Sequence, residues 1–279
     1  MPTAVLFPGQ GSQVPGMREL VAAHAPELLE RCVELVGTDP FPRVGESTRF
    51  AQPAIFCASV AGWRRLAREL EAPPAAVAGH SLGEPAALVA AGVLDELAAL
   101  ELVVLRGWAM AEAGGGTMLA LLGADDETAE AIAHAHGVTV ANYNAPGQVV
   151  LSGGAEALDA AAREARAHGH RAMELGVAGA FHSPAMAAAV EPFAAALARI
   201  DFRPPRDGTT VLSCHTARPM TDPRRELAEA LTGPVRWAHT MRALEALGID
   251  AYVDAGPGRV LAKLVKRNLG AAVREPARA

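Results

Sequence analysis

Aromatic side chains are scarce in this sequence, with 7 Phe, 3 Trp and 2 Tyr among 279 residues. The core must therefore be packed mostly from Ala, Val and Leu. Cysteine is scarcer. Cys32, Cys57 and Cys214 are odd in number, far apart and in no metal-ligand spacing. That argues against a disulfide framework and for a reducing, cytoplasmic compartment. Basic charge is also short: 25 Lys and Arg against 31 Asp and Glu leave a formal net charge of −6. A nucleic-acid binder would carry a basic excess, so no nucleic-acid partner is expected. Only Lys263 and Lys266 are lysines, a bias that reflects genome composition. No run reaches the ~18 consecutive apolar residues of a spanning helix, so no membrane is expected. The opening Met1-Pro2-Thr3-Ala4-Val5-Leu6-Phe7-Pro8 lacks the basic n-region of a signal peptide. What remains is 51% hydrophobic and 20% charged, a globular balance. The length suits one large α/β domain, or a large domain with a smaller one inserted.

The apolar run 3–7 stops at Pro8-Gly9 and predicts a buried strand and a turn. Met17, Leu20 and Val21 keep helical spacing. Pro26 opens a second helix, with Leu28, Leu29, Cys32, Leu35 and Val36 on one face. Ile55, Phe56, Val60, Trp63 and Leu66 predict a helix over 52–70. A short strand over 75–78 turns through Gly79-His80-Ser81-Leu82-Gly83 into another helix. Strand, tight turn and helix in that order argue for a parallel α/β sheet. The rhythm changes after Gly114-Gly115-Gly116. Strand 117–122, helix 125–136, strands 138–142 and 148–151, helix 155–168 and strand 171–177 give the β-α-β-β-α-β order of a ferredoxin-like unit. Later segments return to α/β character: helix 184–200, strand 210–213, helices through 231 and over 241–247, strand 251–253, and a last helix to Leu269. The expected division is a large α/β domain from 1–115 and 184–279, with a small ferredoxin-like domain at 116–183.

Gly79-His80-Ser81-Leu82-Gly83 matches Gly-x-Ser-x-Gly after a strand and before a helix. At such an elbow the backbone bends so tightly that Gly79 and Gly83 must be small. The Ser81 hydroxyl then projects from the turn, and the Leu82 amide points at a reacting carbonyl oxygen. A glycine-flanked turn with a capping serine has the same pattern. A serine needs a base to become a nucleophile. His134, His136, His168 and His170 lie at polar helix ends or loops, and His24, His215 and His239 have no distinctive setting. His80 sits inside the elbow and suits structural support. His182 is the best base candidate: it follows the last strand of the small domain and precedes a Pro-started helix, at a junction facing the interdomain cleft. A capping role suits that position as well. Gly9-Gln10-Gly11-Ser12-Gln13 also follows a strand. It lacks phosphate-loop spacing, so it is either a plain turn or a loop that places an amide against an acyl oxygen.

Taken together, these segments resemble the malonyl-CoA:acyl-carrier-protein transacylase family, including polyketide synthase acyltransferases. The resemblance spans nearly the whole chain. It rests on Phe7-Pro8-Gly9-Gln10-Gly11-Ser12-Gln13, Gly79-His80-Ser81-Leu82-Gly83-Glu84, Leu105-Arg106-Gly107, Asn142-Tyr143-Asn144-Ala145-Pro146-Gly147, Phe181-His182-Ser183-Pro184, Pro234-Val235-Arg236-Trp237 and Gly256-Pro257-Gly258. It implies a hydrolase-like parallel-sheet domain with a ferredoxin-like insert. It also implies a ping-pong transfer of a malonyl-type group from acyl-CoA, through acyl-Ser81, to an acyl carrier protein. His182 would be the base, oriented by main-chain carbonyl, and the amides of Gln10 and Leu82 the oxyanion hole. Arg106 would hold the malonyl carboxylate. The expected state is monomeric, with no metal or other cofactor.

Phe181 stands where malonyl-selective polyketide enzymes carry Phe. Gly179 departs from the family pattern and implies a wider pocket. Ala230 and Gly233 replace the Gln and Asn of the bacterial fatty-acid enzyme. The departures suggest a free-standing enzyme serving polyketide or fatty-acid synthesis. Acyl hydrolysis by the same Ser–His pair, or transfer of another acyl group between carriers, are the alternatives. An acidic carrier would need a basic patch, for which Arg64, Arg65 and Arg68, or Lys263, Lys266 and Arg267, are candidates.

Overall fold

The structure is a computed structural model and describes residues 1–274. The chain opens with β1 (Thr3–Phe7), α1 (Met17–His24), α2 (Pro26–Val36), α3 (Thr48–Ala67), β2 (Ala76–Gly79), α4 (Gly83–Ala90) and α5 (Glu96–Ala113). Next come β3 (Thr117–Leu122), α6 (Asp126–Ala135), β4 (Thr139–Ala145), β5 (Gln148–Gly153), α7 (Ala155–Ala167) and β6 (Arg171–Leu175). It returns through α8 (Ala187–Leu197), β7 (Thr210–Leu212), α9 (Pro223–Glu229), α10 (Trp237–Ala246), β8 (Ala251–Asp254), α11 (Val260–Leu269) and β9 (Val273–Arg274). Among the described residues no helix is long and apolar enough to cross a membrane.

The first and last groups of strands form one sheet of order β7-β2-β1-β8-β9, parallel throughout. Alternate residues of β1 serve opposite faces. Val5 and Phe7 enter the larger apolar cluster with α3, α4 and α5, whereas Ala4 and Leu6 join Trp237, Met241 and Leu261 on the other face. Both faces are thus covered, which is why these strands are apolar without a polar phase. α3 passes through the larger cluster and is apolar nearly all round, as a helix enclosed by others must be. It starts at Thr48, earlier than its apolar spacing suggests, because the Ser47 side chain caps it by accepting from the Arg49 amide at 3.3 Å.

The middle segment folds into a separate antiparallel sheet of order β4-β5-β3-β6, backed by α6 and α7. That is the ferredoxin-like arrangement the element order predicts. Met118, Ala120, Ala141 and Val150 of this sheet share the cluster containing Phe7, Ile55 and Phe193. The two sheets are therefore joined by a continuous apolar contact. Two backbone bonds add to it: Tyr143 N–H donates to Val235 O, and Val235 N–H to Ala141 O, both at 2.8 Å.

Several expected boundaries differ from the structure, and one strand is new. The predicted helix 184–200 begins as a 3₁₀ turn at Pro184–Met186, with the Ser183 hydroxyl accepting from the Ala185 amide. α9 stops at Glu229 rather than running through 231. β9 was not expected; it extends the parallel sheet beyond β8.

Candidate active site

The C-terminal ends of β1, β2 and β7 converge at one edge of the parallel sheet, where open α/β sheets place their ligands. Ser81 lies just past β2 with φ at 52°, in the left-handed region. A non-glycine residue held there is strained, and the surrounding contacts fix it. A Cβ on Gly79 would stand 2.0 Å from the Gly83 carbonyl carbon, and one on Gly83 would stand 2.0 Å from Phe7 O. Both positions therefore exclude a side chain. The loop after β1 approaches equally closely: a Cβ on Gly9 would lie 2.6 Å from His80 O. Gln10 is thereby brought beside the elbow. The amides of Gln10 and Leu82 both belong to residues lining the central cavity, and among the described residues neither donates to a protein acceptor. Two unused N–H groups at such an edge can receive a developing oxyanion.

His182 reaches Ser81 from the far side of the insert, with Nε2 2.7 Å from Oγ. Its own φ is 57°. Nδ1 faces the carbonyls of Ala230 at 2.8 Å and Gly233 at 3.2 Å, so that nitrogen carries the proton and Nε2 is left to accept from the Ser81 hydroxyl. The carbonyl of Ala230 is free for the imidazole because it lies past the end of α9 and the residue four positions on, Pro234, has no N–H to offer it. Burial, then the neighbouring Arg106 cation, push His182 down from its ordinary value to about 3, against the opposing carbonyl bonds. A lowered pKa keeps the ring neutral down to that value, so the base form persists through mild acid. The His182 ring is expected not to titrate between about pH 5 and 8 when followed by ¹H–¹³C NMR. Titration near the ordinary value would place the ring in solvent.

Arg106, on α5, is 5% exposed. Its Nη2 donates to Ser81 Oγ at 3.1 Å and its Nη1 to Gln52 Oε1 at 2.7 Å. Burial lowers it to about 10, which leaves it cationic at neutral pH. Gln52 was not among the residues expected from sequence. Its Nε2 donates to Thr48 Oγ1 at 2.9 Å, and the Thr48 hydroxyl donates to Gln10 Oε1 at 2.9 Å. One chain of hydrogen bonds thus runs from the oxyanion loop through α3 to the guanidinium and on to the Ser–His pair. Gln52→Leu removes a bond to a charged group and is expected to weaken recognition of a carboxylate-bearing acyl donor by about tenfold or more in kcat/KM. Neutral acyl donors should change far less; equal losses would assign Gln52 a purely structural role.

A second buried network supports the elbow from below. The Ser81 amide donates to Cys214 Sγ at 3.3 Å, and the Cys214 amide donates to Glu84 Oε1 at 2.9 Å. Burial raises the Glu84 carboxyl to about 7, despite the Cys214 amide and the Arg106 cation. His80 points its Nε2 at Asn144 Oδ1, 2.8 Å away, and its ring lies 5.3 Å from that of Trp237. The supporting role expected of His80 is thus a tie between the elbow and β4.

The pocket above Ser81 has a volume of about 170 Å³. Arg106, Met110, Met118 and Phe181 line it, while Asn142, Asn144 and α11 residues Val260, Leu261 and Leu264 line other parts of its wall. Gly179 does not line it. The Phe181 ring lies over Gly179: a Cβ on Gly179 would stand 2.4 Å from Cε1 of that ring. The basic-patch expectation also needs correction at Arg64, whose charge is taken up between Glu27 and Glu96. On α11, Arg267 donates to the carbonyls of Pro146 and Gly147 and to Gln148 Oε1, each at 3.3 Å. Lys263 and Lys266 remain exposed beside the cavity wall.

The chain is similar to several characterised proteins. It is 38% identical to the polyketide biosynthesis protein ThaF of Burkholderia thailandensis over 95% of its own length, but spans only 24% of that larger protein. It is 36% identical to the malonyl CoA-acyl carrier protein transacylase of Salmonella typhimurium, covering 98% of this chain and 96% of that one. The crystal structure of an acyl-carrier-protein S-malonyltransferase from Burkholderia pseudomallei superposes with a TM-score of 0.91 at 35% identity, covering 99% and 96% of the two chains. The acyl transferase domain family model matches residues 5–277. A strained serine elbow, a carbonyl-held histidine and this match over nearly the full length agree: the chain belongs to the acyl transferase domain family.

Proposed function

We propose that the protein transfers a malonyl group from CoA to the phosphopantetheine thiol of an acyl carrier protein. The observation that carries this reading is the buried Arg106 guanidinium, 3.1 Å from Ser81 Oγ beside the Ser81–His182 pair. A cation enclosed at that distance from a nucleophile suits an acyl group that ends in its own carboxylate. In the first half-reaction Ser81 Oγ attacks the thioester carbonyl while its proton passes to His182 Nε2. The amides of Gln10 and Leu82 hold the oxyanion as the C–S bond breaks, and His182 returns the proton to the departing CoA sulfur. In the second, the carrier thiol gives its proton to His182 and attacks the ester, and Ser81 leaves with that proton. The acyl group passes between two thiols, so the scheme calls for no metal or redox cofactor. The small domain, 116–183, would serve as the cover of the acyl site, and the large domain, 1–115 with 184–279, as its base. The relatives' names favour a role in fatty-acid or polyketide synthesis. Intact-protein mass spectrometry after exposure to a panel of acyl-CoAs tests the reading. The expected result is one malonyl adduct on Ser81 that a holo carrier protein then removes. An adduct lost to water at the same rate without the carrier would make the protein a hydrolase.

A further inference from the structure

Behind the wall of the acyl cavity lies a second, larger groove of about 890 Å³. It is bordered by α9, α10 and the loop after β7. The partition between the two is thin: Val235 pairs with Asn142, which lines the acyl cavity, and its neighbour Arg236 lines the groove. Four arginines line it, Arg218, Arg225, Arg236 and Arg242. They stand together in a chain whose formal net charge is −6.

These arginines are poorly compensated. Among the described residues no carboxylate pairs with Arg218, Arg236 or Arg242, and Arg225 has only Asp222 at 3.9 Å and Glu229 at 4.0 Å. Arg236 rests over the Tyr143 ring at 5.8 Å. The one acid on the groove floor, Glu226, is already engaged: it accepts from the amides of Thr221 and Asp222 and from the Thr216 hydroxyl. His239 also lines the groove, and its Nδ1 is buried without a partner. Burial, then Arg242 and Arg236, hold His239 below its ordinary value, with Asp126 of α6 acting in the opposite direction. Tyr143, whose ring meets that of His239 edge-on, is bonded to Glu130. The unpartnered His239 nitrogen and the unpaired arginines of the lining are the groups an anion in the groove would meet.

We propose that this groove binds a small phosphate-bearing polyanion, which ties α9 to α10 across the segment whose carbonyls orient His182. Ala230 and Gly233, the residues bonded to His182 Nδ1, lie between Arg225 on α9 and Arg236 at the start of α10. An anion gripped from both sides braces that segment. Phosphate oxygens suit the planar donors of arginine, which can be engaged two at a time.

The test is calorimetric titration of the full chain with inorganic pyrophosphate at constant ionic strength. The expected result is saturable binding of one pyrophosphate per chain. The double substitution Arg218→Gln with Arg242→Gln should weaken it at least ~10-fold, the loss expected for charge-assisted bonds. Both side chains are exposed and, among the described residues, carry no hydrogen-bond or ion-pair partner, so the fold is expected to persist, with Ser81 acylation as the check. Pyrophosphate should also raise the His239 titration midpoint, read by ¹H–¹³C NMR, in the wild type and not in the double variant. A parallel titration with 3′,5′-ADP separates the sources: binding with the same arginine dependence points to the nucleotide end of CoA, and pyrophosphate binding alone to free phosphates. Absence of saturable binding overturns the proposal. So does binding that survives the arginine substitutions but is lost in Lys263→Gln with Lys266→Gln, which would put the anion at the acyl-cavity mouth. A double variant that binds pyrophosphate normally but loses affinity for a carrier protein would make the groove a protein-docking surface instead.

Discussion

His182→Ala is expected to slow acylation of Ser81 by malonyl-CoA by about 10²–10⁴-fold, the usual contribution of a positioned general base. The geometry leaves no substitute. Among the described residues the imidazole nitrogen 2.7 Å away is the one neutral acceptor bonded to Ser81 Oγ, and the other group in contact is a cationic donor. Quenched-flow measurement of the malonyl adduct by intact mass reads the rate directly, without a carrier protein. The Ser81→Ala variant, which should give no adduct, sets the background. A His182→Ala rate within a few-fold of wild type would move the base role elsewhere.

Arg106→Ala is expected to be nearly as damaging, but selectively. A malonyl carboxylate left in a buried pocket without its cation forfeits about 2–5 kcal/mol, or roughly 30- to 4,000-fold in kcat/KM. An acetyl group has no carboxylate to strand, so acetyl transfer should fall far less. It could even rise, because the substitution also removes the hydrogen bond that Arg106 makes to the nucleophile. The ratio of the two kcat/KM values is the informative quantity, since misfolding lowers both alike. An unchanged ratio would end the argument for a carboxylate clamp.

The parts of this site that were legible in the sequence are those whose chemistry is local. Gly79, Ser81 and Gly83 announce a bend because steric exclusion acts between near neighbours, and the structure places Cβ positions there within 2.0 Å of backbone. The ferredoxin-like order was equally readable, as each of its strands and helices carries its own period. Contacts between distant segments were not. Thr48 and Gln52 lie four residues apart on a helix whose middle is mostly apolar, which puts two polar groups on one buried face. That spacing was the available signal, and the surrounding apolar pattern hid it. Arg64, Arg65 and Arg68 look like a free basic patch, yet the acids that take up Arg64 come from positions 27 and 96. At Gly179 the sequence does not show what takes the place of the missing side chain, which is the ring two residues onward.

The orienting groups behind His182 are peptide oxygens, and that has an evolutionary consequence. Neither Ala230 nor Gly233 uses its side chain for the task, so many replacements at position 230 would leave the imidazole where it is. Such a support is written in the path of the chain and leaves no letter to compare between relatives. Its weak point is where the path itself is pinned: a methyl group on Gly233 would meet the ring of His215 at 2.2 Å. Drift there must be accommodated by displacing that ring, whose Nδ1 faces the carbonyl of the adjoining Pro234, or by shifting the carbonyl on which proton transfer depends.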